Sequence, residues 1–378
     1  MTTTNLQKMM AESEKLFGPH AIRKASEILP KRRIPTGVFS LDARLGGGLP
    51  MGCIIEFVGE PSGGKSSIAL LAIANAQGLD RFTHRPLVRD GDTFIDASTG
   101  KPGTPMVATY LDAEGTWDSE WAEACGVDTE RLYYAPVAYL EQAYDLVSGF
   151  IKTGEVDIIV LDSIAALAPA TEVESSMEDQ QMGVAARGNN KGLRKMTAEF
   201  NRLVQSNRNA PMVLLINQMR EKIGVMFGDP ATSPGGRGQE FFASLRVKVW
   251  PEALGKSLKN DDKEIVARTS KFKIEKNKVN GVHGDGEFTL YLRDHGPYLR
   301  GHVDDSEQVL DWATRLGTLE KSGSVIHFPD GTKHNGKAKA ALALMEDRTM
   351  YDQVRADVLD RLRATTRQVN VAAETEEE

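Results

Sequence analysis

The chain has 378 residues, 40% of them hydrophobic and 26% charged, with a net charge of −7. That suits one large folded unit with smaller ones attached, and it excludes collagen-like, low-complexity and disulfide-stapled classes. No apolar run approaches the roughly 20 residues of a membrane-spanning helix, and the two cysteines, Cys53 and Cys125, lack metal or redox spacing.

The start of the chain has no charged-then-apolar leader pattern, and unpaired cysteines suit a reducing compartment. A cytoplasmic protein without a zinc site is the expectation, since the seven histidines are scattered.

Residues 1–33 read as a short helix and a basic linker. Leu6, Met9, Met10, Ser13, Leu16 and Phe17 include apolar positions at helical spacing, and Lys31, Arg32 and Arg33 follow. One helix this short is marginal alone, so it is expected to dock on something. From residue 34 to about 300, strand and helix alternate. The predicted strands are 53–58, 106–112, 156–162 and 212–217; the predicted helices are 65–77, stopped by Gly78, then 139–152 and 183–204. Apolar strands alternating with helices specify an α/β unit with a mainly parallel central sheet. Residues 241–250, 264–276 and 287–293 read as later, partly antiparallel strands. Residues 79–105 are rich in Gly, Pro, Asp and Thr and fit neither pattern; a connection that long suggests a functional or mobile insertion. Helices at 305–316, 336–347 and 350–365, with a hairpin near 325–333, make residues 301–365 a small α/β domain. Residues 366–378 turn polar and then acidic, and are expected to be disordered.

The chemistry starts at Gly59, Glu60, Pro61, Ser62, Gly63, Gly64, Lys65 and Ser66, with Ser67 behind them. The run matches G-x-x-x-x-G-K-[ST] between a predicted strand and a predicted helix. Backbone N–H groups of such a loop surround the phosphates of ATP, the lysine supplies a charge, and the Ser66 hydroxyl goes to Mg²⁺. Asp162 ends a buried apolar strand, where a carboxylate holds the same Mg²⁺. Hydrolysis also needs a group that polarises water; Glu114 and Asp112 both end the strand before it, and the residues alone do not choose between them. Between residues 181 and 246 there are ten Lys/Arg against four acids, a local charge of +6 inside an acidic chain, which points to an anionic partner.

Further segments extend the pattern in unbroken order: 34–42, 48–52, 111–115, 160–167, 182–187, 216–228, 242–246, 276–278 and 336–339. Together they resemble the bacterial RecA family of DNA recombinases over nearly the whole chain. The resemblance implies a RecA-like P-loop ATPase core at 34–300, between the short N-terminal helix and the small C-terminal domain. It implies a DNA-dependent ATPase that forms helical filaments on single-stranded DNA and catalyses homologous pairing and strand exchange with double-stranded DNA. Single-strand binding protein and a loader are the accessory partners it implies.

Residue roles follow from the same resemblance. Glu114 matches the catalytic glutamate, and Gln218 matches the residue that senses the γ phosphate and relays it to a DNA loop. Asp118 and Trp121 fall where the family contacts adenine. Lys276 and Lys278 match lysines that reach the ATP of the neighbouring protomer, so the site would be complete only in a filament. One DNA loop, near 172–182, leads through Met182 and Gly183 into a helix bearing Arg187, Asn190 and Arg194. The other, near 219–238, holds Lys222, Ile223, Gly235, Gly236 and Arg237. Basic and backbone N–H groups there hold phosphates without reading sequence, while Met182 and Ile223 would wedge between base triplets. Lys271 and Lys273 match a weaker second site for duplex.

The chain departs from the family's pattern in places. Trp121 stands for the usual tyrosine and keeps a stacking face. Glu240 stands for a lysine, residues 250–251 replace a basic pair, and 79–105 is longer than the usual connection; a phage-encoded branch would fit. A ring-forming helicase on the same fold would need a large domain before residue 34 and gives no reason for the loop at 222–227. A non-catalytic regulatory relative would tend to lose Lys65, Glu114 or the DNA loops, and all are present.

Overall fold

The computed structural model describes the chain except residues 1–3, 19–20, 23, 29–30, 175–182, 207, 222–230, 233–237, 253–256 and 376–378. Helix α1 (Asn5–Phe17) opens it, closed by a capping box in which Gln7 N donates to Thr4 Oγ1 and Thr4 N to Gln7 Oε1. None of its residues is buried, and Leu6, Met9, Leu16 and Phe17 are all more than half exposed.

The main body then alternates as its apolar periodicity predicts: β1 (Ile54–Gly59), α2 (Lys65–Gln77), β2 (Ala108–Asp112), β3 (Leu132–Pro136), α3 (Leu140–Thr153), β4 (Ile158–Asp162), α4 (Val184–Gln205) and β5 (Met212–Gln218). Four more strands follow, β6 (Leu245–Pro251), β7 (Ile265–Asn277), β8 (Gly284–Tyr291) and β9 (Val303–Asp304). All nine lie in one sheet of order β9-β8-β7-β6-β1-β5-β4-β2-β3, and a tenth strand, Leu258–Lys259, pairs with β7. The pairs from β6 across to β3 are parallel; those from β6 to β9 are antiparallel.

Every residue of β1, β2 and β4 is buried, as a parallel sheet covered on both faces requires. Ile68, Ala69 and Ile73 of α2 pack on one face. Leu140, Tyr144 and Val147 of α3 pack on the other with Leu193, Met196 and Phe200 of α4. Gly192 lets α3 and α4 meet, because a Cβ there would lie 2.3 Å from the Tyr144 ring.

The C-terminal unit holds α5 (Ser306–Leu316), α6 (Lys337–Glu346), α7 (Arg348–Thr375) and three short antiparallel strands, Glu320–Ser322, Val325–His327 and Lys333–Asn335. Its core includes Phe39 and Ala43, from the helix Phe39–Arg44 of the main body. Buried polar groups bind the two together. Arg355 Nη2 pairs with Asp42 at 3.2 Å, Asp42 accepts from Thr36 N and Oγ1 at 2.7 and 2.8 Å, and Asp305 accepts from Phe39 N at 2.8 Å and from the Tyr351 hydroxyl.

Two carboxylates thus share one arginine out of water, and burial pushes the Asp42 carboxyl up to about 6. The folded protein therefore keeps a proton on Asp42 where the unfolded chain has lost it, so Asp42 makes stability fall as pH rises from about 4 to 6. Asp42→Asn should flatten that slope in urea unfolding. Arg355→Met should cost about 3–5 kcal/mol at pH 7, because it leaves buried charge uncompensated.

Several expectations are corrected. Residues 241–242 do not begin a strand; they end the helix Gly238–Phe242, where Ala243 N donates to Gln239 O, and sheet pairing begins only at Leu245. The hairpin near 325–333 is the second half of a three-stranded sheet. The backbone of α7 stays helical through residues 366–375, which were expected to be disordered; that run has no Gly or Pro to stop it. The 79–105 segment, in which the sequence pattern marked no strand, contains a β-hairpin, Leu87–Asp90 against Thr93–Asp96. Its base is tied to the body by Arg81, which pairs with buried Asp157 at 3.1 Å and donates to the Gly154 carbonyl at 2.7 Å. Among the described residues no helix is long and apolar enough to cross a membrane.

Candidate nucleotide site and nucleic-acid face

Four parallel strands end side by side, β1 at Gly59, β2 at Asp112, β4 at Asp162 and β5 at Gln218. Gly59 is in register with Gln218, and Asp112 with Asp162. Open α/β sheets bind ligands outside such carboxyl ends. The loop after β1 passes under the end of β6. A Cβ on Gly59, at φ 152°, would lie 1.8 Å from the Val249 carbonyl oxygen, so only glycine fits.

Lys65 is buried at the start of α2, and its Nζ donates to the carbonyls of Gly59 and Glu60 at 3.1 and 2.6 Å. Burial lowers its pKa, opposed by Asp162, Glu114 and Glu60. A cavity of about 260 Å³ opens over this loop, lined by Gly63, Gly64, Lys65, Ser66 and Ser67 and also by Trp121, Leu290 and Leu292.

Asp162 is buried, which raises its pKa, while hydrogen bonds from Ser66 and Tyr110 lower it. The Tyr110 hydroxyl donates to it at 2.6 Å. Ser66 and Asp162 thus present neighbouring hard oxygens, a donor set that fits Mg²⁺ completed by phosphate and water. Among the described residues, no group of three or more His, Cys, Asp and Glu is arranged to hold an ion alone.

The geometry separates the two acids of β2. Asp112 is saturated: Oδ1 accepts from Glu114 N and Gly115 N at 3.0 and 2.8 Å, and Oδ2 from Trp117 N and the Tyr134 hydroxyl, both at 3.1 Å. It shapes the turn. Glu114 is exposed, and its Oε1 accepts from Gln218 Nε2 at 2.8 Å and Ser163 Oγ at 2.5 Å. It therefore stands exposed at the strand ends and touches Gln218, the last residue of β5. Sequence reading missed Tyr110 and Ser163, because it does not give strand register.

Asp118 caps the helix Ser119–Ala124 by accepting from Trp121 N at 3.0 Å. Lys276 and Lys278 do not reach this cavity. They bond to the Phe241 carbonyl at 3.0 and 3.5 Å, and Lys276 also to the Glu240 carbonyl.

Along α4 the cations divide. Lys195 pairs with Asp145 at 2.5 Å and Arg202 with Glu199 at 2.9 Å. Arg187, Lys191 and Arg194 have no ion pair among the described residues, and with Asn190 and Phe242 they line a cavity of about 440 Å³. Unpaired cations around a groove suit phosphates. Lys191 and Phe242 are additions to the expected set. Gly183 starts α4 in the left-handed region, at φ 76°. Met182, Lys222, Ile223, Gly235, Gly236 and Arg237 lie outside the described residues.

Lys271 and Lys273 sit on a charge-balanced part of the sheet. Lys271 pairs with Glu252 at 2.9 Å and lies opposite Glu287, and Lys273 lies opposite Asp285. Each cation there faces an acid, which weakens its hold on phosphate.

The family described as RecA N-terminal domain matches residues 4–85 and 93–294. The interruption falls on the hairpin of the 79–105 segment. Curated relatives match over almost their full length. The Thermus thermophilus protein called Protein RecA is 36% identical over 360 residues, 94% of each chain. The Nocardia farcinica protein of that name is 34% identical over 360 residues, 94% of this chain and 92% of its own. The one from Mycolicibacterium smegmatis is also 34% identical, over 94% of this chain and 91% of its own.

Proposed function

The chain belongs to the RecA family and is a DNA-dependent ATPase of recombination and repair, and from that premise we propose how its own residues divide the work. The observation that carries the proposal is the contact between Glu114 and Gln218. It joins the exposed carboxylate at the ATP site to the strand that leads into the second DNA loop. Lys65 and the N–H groups of residues 59–66 hold the phosphates. Ser66 and Asp162 would hold Mg²⁺, which when bound neutralises phosphate charge. Glu114 orients the attacking water and takes up its proton, and Gln218 carries the state of the γ phosphate to the DNA loop.

Lys276 and Lys278 serve the next protomer's nucleotide, which accounts for their distance from the cavity of their own chain. The uncovered face of α1 docks on a neighbour, a heterologous contact that repeats into a filament. Single-stranded DNA lies along Arg187, Asn190, Lys191 and Arg194. Duplex is held more weakly near Lys271 and Lys273. Single-strand binding protein competes for the first strand and a loader relieves it, all in the cytoplasm.

The experiment is pairing itself: full-length protein, ATP and Mg²⁺, with a single-stranded oligonucleotide and a homologous supercoiled duplex. The proposal requires joint molecules that depend on ATP and on homology. Filaments without joint molecules would limit the protein to strand binding.

Glu374, Glu376, Glu377 and Glu378 place negative charge at the end of the chain, where it competes with phosphate for the same cations. Deleting residues 366–378 is expected to tighten duplex binding a few-fold at low salt. The gain should vanish as salt rises past about 0.1 M, where charges are screened beyond about 10 Å. Equal affinity at low salt would make the tail a bystander.

A further inference from the structure

We infer that Arg268 is a nucleotide contact that stacks on the purine base from the side opposite Trp121; this rests on reading residues 59–66 as the phosphate loop. The cavity over that loop is lined both by phosphate-loop residues and by Trp121, Leu290 and Leu292, and Arg268 lines it with them. Arg268 lies on β7 directly opposite Leu290 of β8, and Leu290 is one of the apolar lining residues, which suit a base better than a phosphate. Arg268 Nη1 donates to the Ser62 carbonyl at 3.3 Å, which ties the guanidinium to the loop that lines the cavity.

The second observation is the absence of an acid. Arg246, Arg293 and Arg300 pair with carboxylates, whereas among the described residues Arg268 pairs with none. An arginine kept half-buried at a cavity rim without a counter-charge keeps its planar face for a ligand. Trp121 is braced by Arg300: its guanidinium carbon lies 5.5 Å from the ring centroid, and Arg300 also reaches Asp118 and Glu120 at 3.9 and 3.8 Å. The indole is thus a fixed wall, and a purine leaning on it presents its other face to Arg268.

The test separates base from phosphate. ATP and inorganic tripolyphosphate are titrated by equilibrium dialysis, without DNA, against the full-length protein and its Arg268→Ala, Trp121→Ala and Lys65→Ala variants. Stacking predicts that Arg268→Ala raises the Kd for ATP roughly tenfold and leaves that for tripolyphosphate within about twofold. Trp121→Ala should split the two ligands in the same sense, and intact tripolyphosphate binding shows that each variant is folded. An unchanged Kd for ATP in Arg268→Ala would overturn the inference. So would equal losses of both ligands, which would make Arg268 a phosphate ligand. Lys65→Ala should lose both; if it bound ATP normally, the phosphate-loop reading would fail instead.

Discussion

Glu114→Gln should slow ATP turnover on single-stranded DNA by about 10²- to 10⁴-fold, the usual worth of a positioned general base, while ATP still binds. The amide keeps the shape and can still meet Gln218 Nε2 and Ser163 Oγ through its oxygen, as the carboxylate does at 2.8 and 2.5 Å. It cannot take a proton from water. Because ATP persists, filaments of the variant should outlive those of the wild type. Lys65→Ala should fail differently, since it removes the buried cation of the phosphate loop and with it nucleotide binding. Nucleotide dialysis, single-turnover hydrolysis and electron microscopy of filaments distinguish the two. Equal loss of filaments in both variants would contradict the role given to Glu114. Asp112→Asn offers a further contrast: Asp112 is already occupied by four donors, so its loss should appear as a disordered turn and lower stability.

Deleting residues 1–30 should abolish filament formation and leave a folded monomer. Nothing in α1 is buried in its own chain, so the core loses no packing when the helix goes. The cut stops short of Lys31, whose Nζ donates to the Gly52 carbonyl at 2.9 Å, and of Arg33, which pairs with Pro50. Leu16→Asp with Phe17→Asp should act similarly through the exposed apolar face. Sedimentation with ATP and single-stranded DNA reads the result, and unchanged assemblies would remove α1 from the protomer contact.

The parallel half of the sheet was legible because its strands are apolar runs that a doubly covered sheet demands, as at Ile158–Asp162. The phosphate loop was legible because its spacing is its mechanism. The choice between Asp112 and Glu114 was not legible from the residues alone. It depends on which carboxylate the turn consumes, and Tyr134, one of the donors that occupy Asp112, comes from a neighbouring strand. Phe241 and Phe242 look like strand residues, yet local hydrogen bonding holds them in a helix turn. The hairpin in 79–105 is set by side chains that turn the loop, such as Asp80, which accepts from Phe82 N and Thr83 N at 3.0 and 2.7 Å. That chemistry leaves no apolar period to read. The pairing of Lys271 with Glu252 was likewise hidden, because it joins β7 to the residue just past the end of the neighbouring β6.

The central claim is that hydrolysis at Glu114 waits for DNA through Gln218. Turnover at saturating ATP and Mg²⁺, measured with and without poly-dT, tests it most directly. The account predicts slow turnover without DNA, strong stimulation by poly-dT, and loss of that stimulation in Gln218→Ala; equal rates with and without poly-dT in the unmodified protein would contradict it.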